Sequence, residues 1–150
     1  MTTQYWLVKQ EPDSYAWQDF VRDRRTTWDG VRNYQARNHL KSMRRGDCVF
    51  FYASGAPKEI QGTARVSREA FPDPTDDTGD WVTVELEADE PLAQPVTLAA
   101  IKAEPALENM ALVRHSRLSV MPLRRTEYDL ILRMSKPKPE RRTGAARAKA

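Results

Sequence analysis

The chain has 150 residues, 40% of them hydrophobic and 30% charged, with a formal net charge of +3. That suffices for one domain with a core needing neither disulfide nor metal, and no apolar run approaches the ~20 residues of a membrane-spanning helix. The single cysteine, Cys48, excludes an internal disulfide, and the start MTTQYWLVKQEPD has no basic flank or apolar core of a secretory leader.

The expected setting is therefore the cytoplasm, with no membrane contact and a monomeric state favoured. Charge is unevenly spread: residues 1–69 carry +4, residues 70–110 carry −9, residues 111–135 carry +3 and residues 136–150 carry +5. A nucleic-acid-facing surface with an acidic back would produce this pattern, as would solubility alone.

In chain order, QYWLVKQ alternates as a strand that Pro12 stops. Asp13 or Ser14 is the expected cap of a helix carrying Trp17, Phe20, Val21 and Arg24, and Asp29-Gly30 marks a turn. Asn33 can cap a second helix whose Ala36, Leu40 and Met43 share a face. Cys48 to Ala53 reads as a strand buried on both sides, with the thiol of Cys48 inert. The loop SGAPKE leads to the strand IQGTARVSR, and FPDPTDDTGD reads as a loop.

WVTVELEA alternates as the next strand, after which Pro91 and Pro95 predict an irregular link to Val96–Leu98. Two short helical pieces near residues 99–103 and 107–110 precede a last strand, LSVMPL. Thr126 and Asp129, spaced as a capping box, open a helix bearing Tyr128, Ile131 and Leu132. The tail KPKPERRTGAARAKA from Lys136 holds charge and proline without large apolar residues, the composition of a disordered segment, and stands beside one domain over residues 1–135. Five or six strands among short helices do not follow a β-α-β rhythm. The expected class is α+β: a mixed, strongly curved sheet or small barrel flanked by short helices.

Catalytic and metal signals are missing. His39 and His115 are the only histidines, neither at ligand spacing to Cys or carboxylates, and GxSxG, HExxH, CxxC and phosphate-cradling glycine runs are absent. His39 is expected in a solvated or capping role. The sequence thus predicts no catalytic residue, no metal and no cofactor.

The informative stretch is TTWDGVRNYQARNHL. Trp28 stands before a turn, Asn33 carries a donor and an acceptor near it, and Arg32 adds charge. An aromatic face with an amide can stack a base and read its edge, as in recognition of unpaired or flipped-out bases. The same residues would equally serve a core tryptophan and a helix cap, and both readings stay open. The arginine groups Arg22, Arg24, Arg25 and Arg44, Arg45 are either solvated or phosphate contacts.

YWLVKQEP, WDGVRNYQARNHL, GDCVFFYAS, IQGTARV, FPDPT, PVTL and LVRHSRLSVMPL, in this order over residues 5 to about 134, resemble the successive signatures of the EVE family. The resemblance implies a PUA-like fold and a non-catalytic reader of modified nucleic acid, DNA or RNA, with 5-methyl- or 5-hydroxymethylcytosine in DNA as leading bases. It implies Trp28 as a pocket wall, Asn33 on the base edge with Arg32 and Tyr34 nearby, and Lys9 at the rim. Phe51, Tyr52 and Ser54 would face the base, Arg117 and Ser119 would close over it, and Trp81 would be a second aromatic wall. Two departures are Gln10 and Ala53, where the family pattern has Ser and His. The alternatives are an RNA-binding module for tRNA or rRNA without a modified base, or small-molecule or enzymatic use of the same pocket.

Overall fold

A computed structural model describes residues 3–136. Its elements are β1 (Tyr5–Gln10), α1 (Trp17–Asp23), β2 (Arg25–Thr27), α2 (Tyr34–Ser42), β3 (Cys48–Ala53), β4 (Glu59–Pro72), β5 (Val82–Thr97), α3 (Leu98–Lys102), α4 (Ala111–Arg114), β6 (Val120–Leu123) and α5 (Arg125–Met134). The tail beyond residue 136, expected to be disordered, lies outside the described residues. No helix among the described residues is long and apolar enough to cross a membrane.

The six strands form one sheet in the order β2-β5-β4-β3-β1-β6. Only β1 and β3 run parallel; the other pairs are antiparallel. The class is the expected α+β, but the sheet does not close into a barrel, since β2 and β6 remain as edges.

Alternation along β1 and β3 sorts the core into two sides. Register partners Leu7↔Phe50 and Lys9↔Tyr52 share one side, where Phe50 stacks on Tyr128 of α5 at 4.2 Å. Tyr5 meets the same ring at 4.8 Å. Val8↔Phe51 and Gln10↔Ala53 share the other side, where Trp17 and Phe20 of α1 and Trp28 pack on Phe51. Gly62 of β4 lets the Trp17 ring lie directly on the backbone; a Cβ there would overlap it. Cys48 is a half-buried free thiol near Tyr128, whose hydroxyl pKa is raised, by burial first and then by that thiol.

Several expectations change. The α1 N-terminus is closed by the Asp19 carboxylate accepting from the Ala16 N–H at 2.9 Å, while Asp13 and Ser14 sit in the preceding turn. Arg24 ends α1 with φ 67°, freeing residues 25–27 to pair with β5 as a strand the sequence did not reveal. At α5 the box is Arg124 with Glu127, whose carboxylate accepts the Arg124 N–H at 2.8 Å, so Thr126 and Asp129 are not the pair. β5 runs unbroken through Pro91 and Pro95, and register shifts on both sides of the Gly62↔Pro91 pair mark the ladder there as irregular. His39 is half-buried, its ring 6.1 Å from Trp6 and its Nε2 buried without a partner, and burial lowers its pKa.

The arginine groups stay mostly on the surface. Arg22 pairs with Asp19 and Asp23, and Arg25 with Glu87, all solvent-screened.

Candidate functional site

The loop from Trp28 to Asn33 joins β2 to α2 and builds most of what the surface offers. The Trp28 N–H donates to the Val84 carbonyl at 2.8 Å, extending the β2–β5 ladder by one bond. The indole is then folded inward: it is 4% exposed and meets Phe51 edge-on at 6.0 Å, with Tyr15 and Phe20 at 6.5 and 6.1 Å. A cavity of ≈ 290 Å³ opens beside it, lined by Gln10, Ser14, Tyr15, Thr26, Thr27, Trp28 and Asp29. Its volume sits just below the ~300 Å³ at which ordinary small-molecule pockets begin. The walls hold an indole, a phenol, hydroxyls, one amide and one carboxylate. Gln10 Oε1 accepts from the Glu11 N–H at 3.2 Å. Its amide nitrogen is a donor outside that bond.

On the other side of the sheet, Lys9 donates to the Ser116 carbonyl at 2.9 Å and stands 5.8 Å from the Tyr52 ring. Burial lowers the Lys9 pKa and raises that of Tyr52. Both line a second cavity of ≈ 280 Å³ with Ser54, Lys58, Leu98, Leu112 and Ser116. Ser116 also borders a third cavity of ≈ 280 Å³, which Asn33, Gln35, His115, Arg117 and Leu118 complete. Asn33 Oδ1 accepts from the Ala36 N–H at 2.9 Å, the cap expected from the sequence. The Ser119 carbonyl accepts from the Lys9 N–H at 2.9 Å, so that residue acts here through its backbone.

The acidic loop after β4 is fastened by Asp73. Its buried carboxylate accepts from the Gly30 N–H at 2.8 Å, the Thr75 N–H at 2.7 Å and hydroxyl at 2.6 Å, and Arg32 Nη1 at 3.1 Å. Burial alone would raise its pKa, but these donors outweigh it and hold the group down to about 2. Arg32, thus anchored, lies 5.5 Å from the Trp81 ring. Trp81 stacks on Tyr34 at 4.9 Å and 28°, and Arg37 lies 4.8 Å from Tyr34 and 5.7 Å from Trp81.

Apart from Ser119, the residues expected at the site therefore fall into four groups. Lys9, Tyr52 and Ser54 meet in one cavity, Asn33 and Arg117 in the next, and Arg32, Tyr34 and Trp81 in a surface ladder. Trp28 and Phe51 touch each other across the sheet from Lys9. The sequence reading did not single out Ser14, Tyr15, Arg37 or Asp73 as site residues; Asp73 lies in the FPDPT signature, and Arg37 follows Asn33 by one helical turn. The two departures, Gln10 and Ala53, are register partners on the Trp28 side, so a longer side chain and a shorter one adjoin at one place. Among the described residues no group of three or more His, Cys, Asp or Glu could hold a metal ion.

The family model described as "EVE domain" matches residues 4–134. The solved structure of Rpa0253 from Rhodopseudomonas palustris is 46% identical with a TM-score of 0.86, over 95% of this chain and 100% of that one. Human thymocyte nuclear protein 1 is 32% identical over 90% of this chain and 75% of its own length. The structure of human THYN1 protein in complex with 5-methylcytosine containing DNA superposes with a TM-score of 0.78 at 31% identity, covering 91% of this chain and 100% of that one. The YTH domain of Zygosaccharomyces rouxii MRB1, in complex with N6-methyladenosine RNA, matches with a TM-score of 0.59 over 95% of this chain and 90% of that one, and at 16% identity it shares the fold alone.

Proposed function

This chain belongs to the EVE family, and from that premise we propose that it is a monomeric, non-catalytic nucleic-acid-binding protein that takes one modified base into the cavity beside Trp28. The observation that carries the proposal is the composition of that cavity: Trp28 and Tyr15 next to the Gln10 amide and the Asp29 carboxylate. Cytosine offers an amino donor beside ring and carbonyl acceptors. A carboxylate answers the first and an amide both. A 5-methyl group placed against the aromatic edge would gain on the order of 1 kcal/mol by burial, a fivefold to tenfold preference.

The human relative solved with 5-methylcytosine DNA supports this base class, with 5-hydroxymethylcytosine the neighbouring candidate that the Gln10 amide nitrogen could meet. The fold likeness to an RNA-bound YTH domain leaves the fold itself suited to either nucleic acid. Lys9, Tyr52 and Ser54 line a cavity on the other side of the sheet, and Asn33 and Arg117 line a third one, so in this reading none of the five carries the base contact. The free thiol of Cys48 suits a reducing compartment, the cytoplasm.

The test is a binding titration with single- and double-stranded DNA and RNA oligomers carrying plain, methylated or hydroxymethylated cytosine. The unaltered protein is compared with Gln10→Ala and Asp29→Asn. The expected result is a fivefold to tenfold preference for one modified DNA in the unaltered protein, and weaker binding of plain and modified cytosine oligomers alike in both variants. Equal binding of all oligomers, unaffected by either substitution, overturns the pocket assignment. Salt-independent binding of free nucleosides alone would point to a small-molecule role.

A further inference from the structure

We propose that the Tyr34–Trp81 pair with Arg32 and Arg37 is a second, external nucleic-acid site: a platform on which an unpaired base next to the inserted one stacks. It rests on the proposed function only for its neighbour and is separable from it by experiment.

Two large hydrophobic side chains are exposed among the described residues, Val21 and Tyr34, and Tyr34 is the more open at 63%. An exposed aromatic ring without a partner would be ordinary. This one is held in place: its inner face rests on Trp81 at 4.9 Å, nearly parallel. The guanidinium of Arg37 does not cover the other face. It lies 4.8 Å over Tyr34 and 5.7 Å over Trp81, and with the rings 4.9 Å apart these distances put it on the Trp81 side of Tyr34. A cation over the outer face of Tyr34 would lie much further from Trp81. The outer face is thus a flat, pre-oriented π-surface open to solvent.

Charge on the ladder fits a nucleic-acid strand. Arg37 Nη1 donates to the Asp80 carbonyl at 3.0 Å, and its Nε is buried without a partner; no carboxylate pairs with it among the described residues. Arg32 is committed to Asp73 but remains 39% exposed. A base stacked on Tyr34 would carry its phosphates past these guanidinium groups, the combination of aromatic platform and positive flank that binds single strands without reading sequence.

Placement supports the same occupant. Gly30 and Arg32 share the Asp73 carboxylate, so the ladder is fixed to the loop whose first residues, Trp28 and Asp29, line the base cavity. A strand that inserts one base there has Tyr34 within the same loop–helix junction for the next.

The experiment measures anisotropy of labelled single-stranded DNA bearing a central 5-methylcytosine. Flanking positions are thymidines or abasic spacers, and the proteins are the full chain, Tyr34→Ala and Tyr34→Phe. Removing the flanking bases should weaken the unaltered protein about fivefold to tenfold. Tyr34→Ala should lose the same factor on the thymidine oligomer and nothing further on the abasic one, while Tyr34→Phe keeps the preference. If Tyr34→Ala weakens both oligomers equally, or neither, the platform is overturned. Exchanging the central base for plain cytosine reports the cavity separately: no change there, with the flanking effect intact, sinks the proposed function and leaves the platform standing.

Discussion

The seven residues from Trp28 to Tyr34 place two aromatic rings with opposite fates. Trp28 is drawn under the sheet edge against Phe51, Phe20 and Tyr15, where burial satisfies it. Six residues later Tyr34 is left in solvent, held by one stacked ring and the guanidinium of Arg37. The difference follows from the backbone. The Trp28 N–H is still paired to β5, so its side chain must take one side of the sheet, whereas Tyr34 is the first residue of α2 and points along a helix surface. The same residue class serves stability at one position and contact at the other.

The largest expected effect lies in the buried cluster. Trp28→Ala removes a ring with three aromatic neighbours and should lower the unfolding free energy by about 3–5 kcal/mol in chemical denaturation. A loss under about 1 kcal/mol would show that the ring is spared for ligand and does not serve the core. The expected loss also explains why Gln10 and Asp29, not Trp28, are the residues to alter in a binding assay.

Much of this was legible in the sequence, and the exceptions have physical causes. Alternation found β1 and β3, and the Asn33 cap followed from its amide standing before an amphipathic run. The caps of α1 and α5 were misread because each is closed by an acid three residues into the helix reaching back to a residue that is no capping type, Ala16 and Arg124. β2 escaped notice because three polar residues following an arginine with positive φ carry no periodicity. The site suffered from the same blindness to side. Lys9 and Gln10 are neighbours in sequence, yet they face cavities on opposite sides of the sheet, so a single pocket inferred from motifs becomes several.

An intermediate effect belongs to the link between the two regions. The Asp73 carboxyl is held at about 2, below the ~3.9 of an unfolded aspartate, so its contribution is full above about pH 4 and fades as pH falls through 2. The difference corresponds to about 2–3 kcal/mol. Asp73→Asn should remove that amount at pH 7 and flatten the acid limb of a stability-against-pH curve between about pH 4 and 2. An unchanged acid limb would show that the Gly30, Thr75 and Arg32 donors do not hold the charge in solution. The same variant loosens Arg32 beside Trp81, so the emission of the ladder tryptophan should change with it.

The smallest expected effect is the most discriminating. Tyr34→Ala removes a side chain that is 63% exposed and should change stability by no more than about 0.5 kcal/mol, the range of ordinary surface substitutions. If the ladder were chiefly a latch holding the loop of residues 73–81 onto α2, the loss would be larger, because Trp81 would surrender its stacking partner and Arg37 its neighbour. Asp73 and Asp76 already fix that loop, the latter accepting from the Thr78, Gly79 and Trp81 N–H groups. The loop therefore has no need of Tyr34, and a stability loss above about 1.5 kcal/mol would return the ring to a structural role and remove the case for a stacking platform.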